Sequence, residues 1–295
     1  MIRMRKRKTM KLSAIKRLAL GAVVAAFGLT ATSCVSIPDS NPNLDKFFEG
    51  KQGCFLLYDL ATKTYLDAYN PEFCKLQKPA VSTFKIPLAV MGLDAGVLKD
   101  ENTTFKWNNE IESIESWNHD QNATTWIANS VIWYSQRITK ALGKPKIQSY
   151  LEAFEYGNEN FSGRIDNAWL TIAPFIKGEP KPTLLISPIE QVEFLEKFWT
   201  FRLPAKRSAV DTAQKLMYIE ENLKGYKLSG KTGSGYLDKN FTRRLGWFVA
   251  HIETRNKKYI AVLDFEDKEE QGDRTPGGTE AKTMLLKILS SKGLY

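Results

Sequence analysis

The amino-acid sequence predicts an α/β fold of the α+β sandwich type, in which an antiparallel sheet built from both chain ends is flanked by helices and interrupted by a mainly helical insertion. Three observations predict it. Strand-like runs cluster at 54–69 and again at 226–265, helix-like patterns fill the stretch between them, and one more helix-like segment closes the chain. With 295 residues, 43% of them hydrophobic, the chain can bury the core that such a domain needs.

Residues 54–60 and 63–69 are rich in aromatic and aliphatic side chains, and the short Ala61-Thr62 link makes them an antiparallel hairpin. Over 83–98 the apolar residues, Phe84, Ile86, Leu88, Val90 and Leu93 among them, recur at mixed three- and four-residue spacing, which predicts a largely buried helix. Pro87 falls in its first turn, where a missing N–H costs nothing. The stretch 108–201 reads as mainly helical, with loops around 156–163 and 177–182. Within it, Ser187-Pro188-Ile189-Glu190 is a helix start: a capping serine, proline at the first position and glutamate at the third. Strands are expected at 226–232, 244–253 and 258–265, and a closing helix at 281–289. The cleft where the sheet meets the helical insertion is the expected ligand site.

Residues 1–34 differ from the rest. A basic stretch over 1–17 precedes an apolar run over 18–29 and the small-residue patch Thr30-Ala31-Thr32-Ser33-Cys34, the layout of an export signal. The run is shorter than the roughly 20 residues a membrane span requires, so a permanent anchor helix is the weaker alternative. Eight of the positive charges lie in this leader with no acidic residue, so the net charge of +9 leaves only +1 for the remainder. A nearly neutral mature protein lacks the basic footprint for nucleic acid. Cys34 follows the apolar run as a lipid-modified cysteine would, although Ala31 stands where leucine is usual; a lipid anchor and simple cleavage nearby both stay open. Cys54 and Cys74 flank the predicted hairpin and either pair or remain two buried thiols. With no CxxC and only His119 and His251, no zinc site is expected, and both histidines are assigned to surface or structural roles. Oligomeric state leaves no trace in the sequence.

Ser82-Thr83-Phe84-Lys85 stands at the start of a predicted helix, where residues three apart share a face and the hydroxyl and amine can meet. A serine is a poor nucleophile until a neighbour takes its proton, and a helix N-terminus favours a developing oxyanion. Alone, the pattern is as well explained by a helix cap followed by a solvated lysine. Lys231-Thr232-Gly233 lies on a predicted strand, and Gly233 removes a side chain where a ligand backbone could approach the edge. Between them Ser130 sits in the apolar run 126–134, either as a functional hydroxyl or as a core serine bonded to its own helix. S-x-x-K, an interior serine and K-T-G in this order form the three-element layout of penicillin-recognising serine enzymes.

Beyond these elements, Ser82-Thr83-Phe84-Lys85-Ile86-Pro87, Tyr156-Gly157-Asn158, Phe161-Ser162-Gly163, Ala168-Trp169-Leu170 and Gly246-Trp247 resemble the class D (oxacillinase) serine β-lactamases, from about Gly53 to the C-terminus. The resemblance implies that 35–295 is a single penicillin-recognising, transpeptidase-like catalytic domain, exported to the periplasm and acting on small-molecule β-lactams. It implies Ser82 as the acylated nucleophile, with the backbone N–H groups of Ser82 and Ser234 as oxyanion hole. Lys85, carboxylated by carbon dioxide, would be general base, and Trp169 would donate its indole N–H to that group. Ser130 would relay a proton to the leaving nitrogen beside Lys231, while Lys231, Thr232 and Gly233 would line the substrate site. No other cofactor and no metal is implied.

The lysine chemistry is coherent only if burial lowers the amine's pKa, because a protonated amine cannot attack carbon dioxide; Phe84, Val131, Ile132 and Trp169 are the expected walls. Two residues depart from the family pattern. Ile132 stands where valine is usual and adds bulk beside Lys85, and Arg274, in the neighbourhood of a substrate-carboxylate arginine, fits a solvated loop charge better. Two other activities share these elements: a β-lactam sensor that acylates without turnover, and a D,D-transpeptidase or carboxypeptidase. Sensors are fused to membrane helices and a protease, which this sequence does not carry, and Tyr156-Gly157-Asn158 with Trp169 favours class D over the peptidases.

Overall fold

The computed structural model describes residues 36–171, 181–271 and 275–295; the expected export signal with Cys34, and Arg274, lie outside the described residues. β1 (Lys51–Asp59) and β2 (Thr64–Tyr69) form the expected hairpin, with Lys63 in the left-handed region at φ 56° to turn the chain. β8 (Lys227–Tyr236), β9 (Arg244–Glu253) and β10 (Lys258–Asp267) return from the other end of the chain. β1 pairs antiparallel with β10, so the two chain ends meet in the middle of one sheet, and the short β7 (Tyr218–Glu221) closes its far edge in the order β2-β1-β10-β9-β8-β7.

Successive side chains of a strand point to opposite faces. Leu56, Val249, Ile260 and Val262 therefore enter the larger core, on the side of the helical insertion, while Phe55, Leu57, Ala261 and Leu263 pack with Leu285 and Ile288 of the closing helix α7 (Gly277–Ser291). A sheet covered on both faces needs apolar residues at nearly every position, and β1, β9 and β10 have them. Cys54 of β1 and Cys74 are joined in a disulfide, their Cα atoms 5.1 Å apart, which decides between the two alternatives for these thiols.

The insertion carries α1 (Lys85–Asp94), α2 (Ala123–Ala128), α3 (Ile132–Leu142), α4 (Lys144–Phe154) and α5 (Pro188–Trp199). Ser187 caps α5 as expected: its hydroxyl accepts from the Glu190 N–H and the Glu190 carboxylate accepts from the Ser187 N–H at 2.7 Å. Helix α6 (Arg207–Leu216) and β7 follow, and neither was singled out by the sequence patterns. Four two-residue strands tie loops together, β3 (Lys78–Pro79) to β6 (Leu185–Ile186), and β4 (Thr104–Phe105) to β5 (Gln121–Asn122).

One expectation is corrected here. Residues 108–122 hold a single 3-10 turn, Glu115–Trp117, and no α-helix, because their polar side chains take backbone groups an α-helix would use. Asn118 accepts from the Glu112 N–H at 2.7 Å and donates back to the Glu112 carbonyl at 3.0 Å, while Asp120 accepts from the Trp107 N–H. The helix expected over 83–98 is also shorter, ending at Asp94 before Gly96 at φ 75°.

Candidate active site

Ser82 lies in a single 3-10 turn, Val81–Phe84, that leads directly into α1 at Lys85. Three residues per turn eclipse the side chains at i and i+3. Lys85 Nζ accordingly stands 3.1 Å from Ser82 Oγ. Lys85 is wholly buried, whereas Ser82 is half-buried and so reachable. Burial, with the charge of Lys231 adding to it, holds the Lys85 amine well below the ordinary lysine range.

Several distant segments fasten this turn. Val81, β-branched and yet at φ 41°, donates its N–H to the Trp169 carbonyl at 2.9 Å. Thr83 Oγ1 donates to the Ala80 carbonyl at 2.6 Å and accepts from Gln191 Nε2 of α5 at 2.9 Å. Phe84 packs among Tyr156, Phe161 and Trp169, with ring centroids 6.1, 5.9 and 5.2 Å away. The Tyr156-Gly157-Asn158 segment is tied to β6: Asn158 Oδ1 accepts from the Leu185 N–H, and Gly157 at φ 57° has a hypothetical Cβ only 2.1 Å from the Leu185 carbonyl oxygen. Of the expected walls, Phe84, Val131 and Trp169 are buried, and Ile132 is half-buried.

Lys231-Thr232-Gly233 lies on β8, as expected. Lys231 is buried, its Nζ donating to Thr232 O and Thr232 Oγ1 at 3.2 and 3.3 Å, and burial pulls its pKa down to about 7. A Cβ on Gly233 would stand 2.6 Å from Val81 Cγ2 and 3.3 Å from Thr83 Cγ2, so the missing side chain makes room for the serine turn. The next residue, Ser234, accepts through Oγ from the Gly278 N–H at the start of α7, at 2.9 Å.

Of the two alternatives read for Ser130, the core serine bonded to its own helix is the one the structure does not show. Ser130 is half-buried in the turn between α2 and α3, at φ 57°. The buried serine just beyond this run, Ser135, bonds to its own helix, donating to the Val131 carbonyl at 3.4 Å, and accepts from Trp126 Nε1 at 2.9 Å. A cavity of about 490 Å³ opens where sheet and insertion meet, lined by Ile127, Ala128, Met217, Lys231, Thr232 and Phe248 among others. Lys231 and Thr232 thus face a cleft bounded on its other side by the end of α2, two residues before Ser130; Ser82, Lys85 and Ser130 do not line the cavity itself.

Trp169 is fully buried and its Nε1 donates to nothing, an uncommon state for an indole N–H in a packed core. Gln191 and Val81 bear on the serine turn but were missed by the sequence patterns; the trace of Gln191 is a polar residue on a mainly apolar helix face. His251 stacks on Trp199 at 4.0 Å, and burial pushes its pKa down to about 3, while His119 is exposed.

The sheet, the two lysines and the serine turn define a penicillin-binding transpeptidase-type domain, and the model of that family, the penicillin binding protein transpeptidase domain, matches residues 30–290. The chain is 37% identical over 254 residues to the β-lactamase OXA-1 of Escherichia coli, covering 84% of this chain and 87% of that protein. A solved class D β-lactamase from Bacillus subtilis superimposes with a TM-score of 0.74 at 31% identity, covering 88% of this chain and 98% of the other. The C-terminal domain of the Bacillus licheniformis BlaR penicillin-receptor superimposes with a TM-score of 0.76 at 28% identity, covering 88% and 100%. The chain belongs to the class D serine β-lactamases.

Proposed function

We propose that this protein hydrolyses β-lactam antibiotics through an acyl-enzyme on Ser82 and so confers resistance to them. One observation carries the proposal: an amine whose pKa burial lowers well below the ordinary lysine range, 3.1 Å from a reachable serine hydroxyl. A neutral amine can take the Ser82 proton as Oγ bonds to the lactam carbonyl carbon; the lactam C–N bond then breaks, and Ser130, beside Lys231, returns a proton to the leaving nitrogen. The backbone N–H groups of Ser82 and Ser234 hold the oxyanion, while Lys231 and Thr232 hold the substrate carboxylate. Water hydrolyses the resulting ester and frees Ser82.

Two features favour carboxylation of Lys85. Burial lowers the pKa of its amine, which favours the neutral form that reacts with carbon dioxide, and the unpartnered Trp169 Nε1 is a donor in want of an anionic acceptor. When present, the carbamate would supply an anionic oxygen base within reach of Ser82 for both halves of the reaction. We further propose export to the periplasm, which the leader and the Cys54–Cys74 disulfide support, with Cys34 either lipid-anchored or lost on cleavage.

The likeness to the BlaR receptor domain keeps a second activity in view, a sensor acylated once and not released. The two differ in turnover. Purified protein is expected to convert a chromogenic cephalosporin many times per Ser82, faster with added bicarbonate. A single stoichiometric burst without a steady state would assign the sensor activity instead.

A further inference from the structure

Ser130 occupies a left-handed backbone conformation, φ 57°, that residues with a Cβ adopt only when their surroundings impose it. The imposing contacts come from two tryptophans. Helix α2 ends at Ala128 with Asn129 as its C-cap, whose carbonyl has no continuing turn to bond to, and Trp117 Nε1 donates to that oxygen at 2.8 Å. Trp117 belongs to the irregular 108–122 segment and would be free to move with it, but its own carbonyl accepts from Trp133 Nε1 of α3 at 3.0 Å. Both indoles are buried. The result is a closed ring: loop to the last peptide of α2, through Ser130 into α3, and back to the loop. The Val131 N–H bonds to the Trp126 carbonyl at 3.1 Å, so the peptides on both sides of Ser130 are held.

We propose that Trp117 is a positioning residue for Ser130: by fixing the Asn129 carbonyl it sets the peptide plane from which Ser130 projects, and so aims the hydroxyl at the leaving nitrogen. Trp117 acts through its N–H and contributes to acylation only by way of Ser130. The inference rests on the proton-relay role proposed for Ser130.

A double-mutant cycle on the full protein tests it, with kcat/KM for a chromogenic cephalosporin as readout and thermal unfolding as the check on fold. Trp117→Phe keeps an aromatic ring and removes the donor. It is expected to lower kcat/KM about tenfold in the parent and less than about twofold in a Ser130→Ala background, because the hydroxyl it aims is then absent. Equal losses in both backgrounds, or no loss in the parent, would overturn the inference and leave the role of Ser130 standing. If Ser130→Ala alone keeps the parent kcat/KM, the relay role itself fails and the inference with it. Should Trp117→Phe not fold, Trp133→Phe, which releases the other end of the ring, is measured in the same cycle with the same expectation.

Discussion

The ammonium of Lys231 adds its repulsion to burial in keeping the Lys85 amine uncharged. Lys231 is itself buried and titrates near 7, so two strands of evolutionarily costly chemistry meet at one place: two amines are withdrawn from water where a serine must be activated.

Stability should therefore depend on pH in an unusual direction. Burial depresses the folded pKa of Lys231 to about 7, below the ~10.4 of an exposed lysine, so between these values the unfolded chain binds more protons than the folded one. The penalty is complete below about 7 and is relieved as pH rises toward ~10.4; Lys85 acts in the same direction. In carbon dioxide-free buffer the unfolding midpoint is expected to climb across this window. Lys231→Met should be more stable than the parent at pH 7, by about 2–4 kcal/mol, with a flatter pH profile. Denaturant titrations at stepped pH check both; a parent midpoint that falls throughout the window contradicts the buried amines.

The orphaned Trp169 indole leads to a second expectation. Trp169→Phe keeps an aromatic ring beside Phe84 and removes the donor. Activity should then need about tenfold more bicarbonate for half-maximal restoration after decarboxylation, since an anion on Lys85 would lose a charge-assisted hydrogen bond. Unchanged bicarbonate dependence would show that the indole does not hold that group. Lys85→Ala should fold and yet lose deacylation.

Gly233 offers a purely steric test. Its Cβ position collides with Val81 Cγ2 at 2.6 Å, and Val81 adjoins the nucleophile. Gly233→Ala should displace the serine turn and lower kcat/KM about tenfold. Val81→Ala removes the colliding methyl groups, so the double variant should recover most of the loss, as steady-state kinetics on the three proteins would reveal.

In the core, Lys78 Nζ lies 2.7 Å from Asp264 Oδ2, both side chains buried. Lys78→Met leaves that carboxylate alone in the core and should cost about 3–5 kcal/mol, whereas Lys78→Met with Asp264→Leu should come within about 1 kcal/mol of the parent. Chemical denaturation distinguishes the two outcomes.

How much of this was legible in the chain depends on sequence distance. The Ser187 cap of α5 and the Ser82–Lys85 pair were readable because one helical turn relates their members, and the hairpin of β1 and β2 because four residues connect it. Residues 108–122 misled, since their spacing of apolar residues fits a helix while Asn118 and Asp120 divert the backbone groups a helix would use.

The sequence by itself determined the class of fold, the local geometry of the nucleophile and its base, and the order of the three site elements, because hydrophobic period, capping and the i, i+3 relation act over a few residues. The tertiary structure alone decided which residues surround them. Gln191 reaches Thr83 across 108 positions, Gly233 yields space to Val81, and Trp117 meets Asn129 through a loop of no regular period. Such contacts are set by how helices and sheet pack, and packing joins residues whose spacing along the chain carries no period to detect.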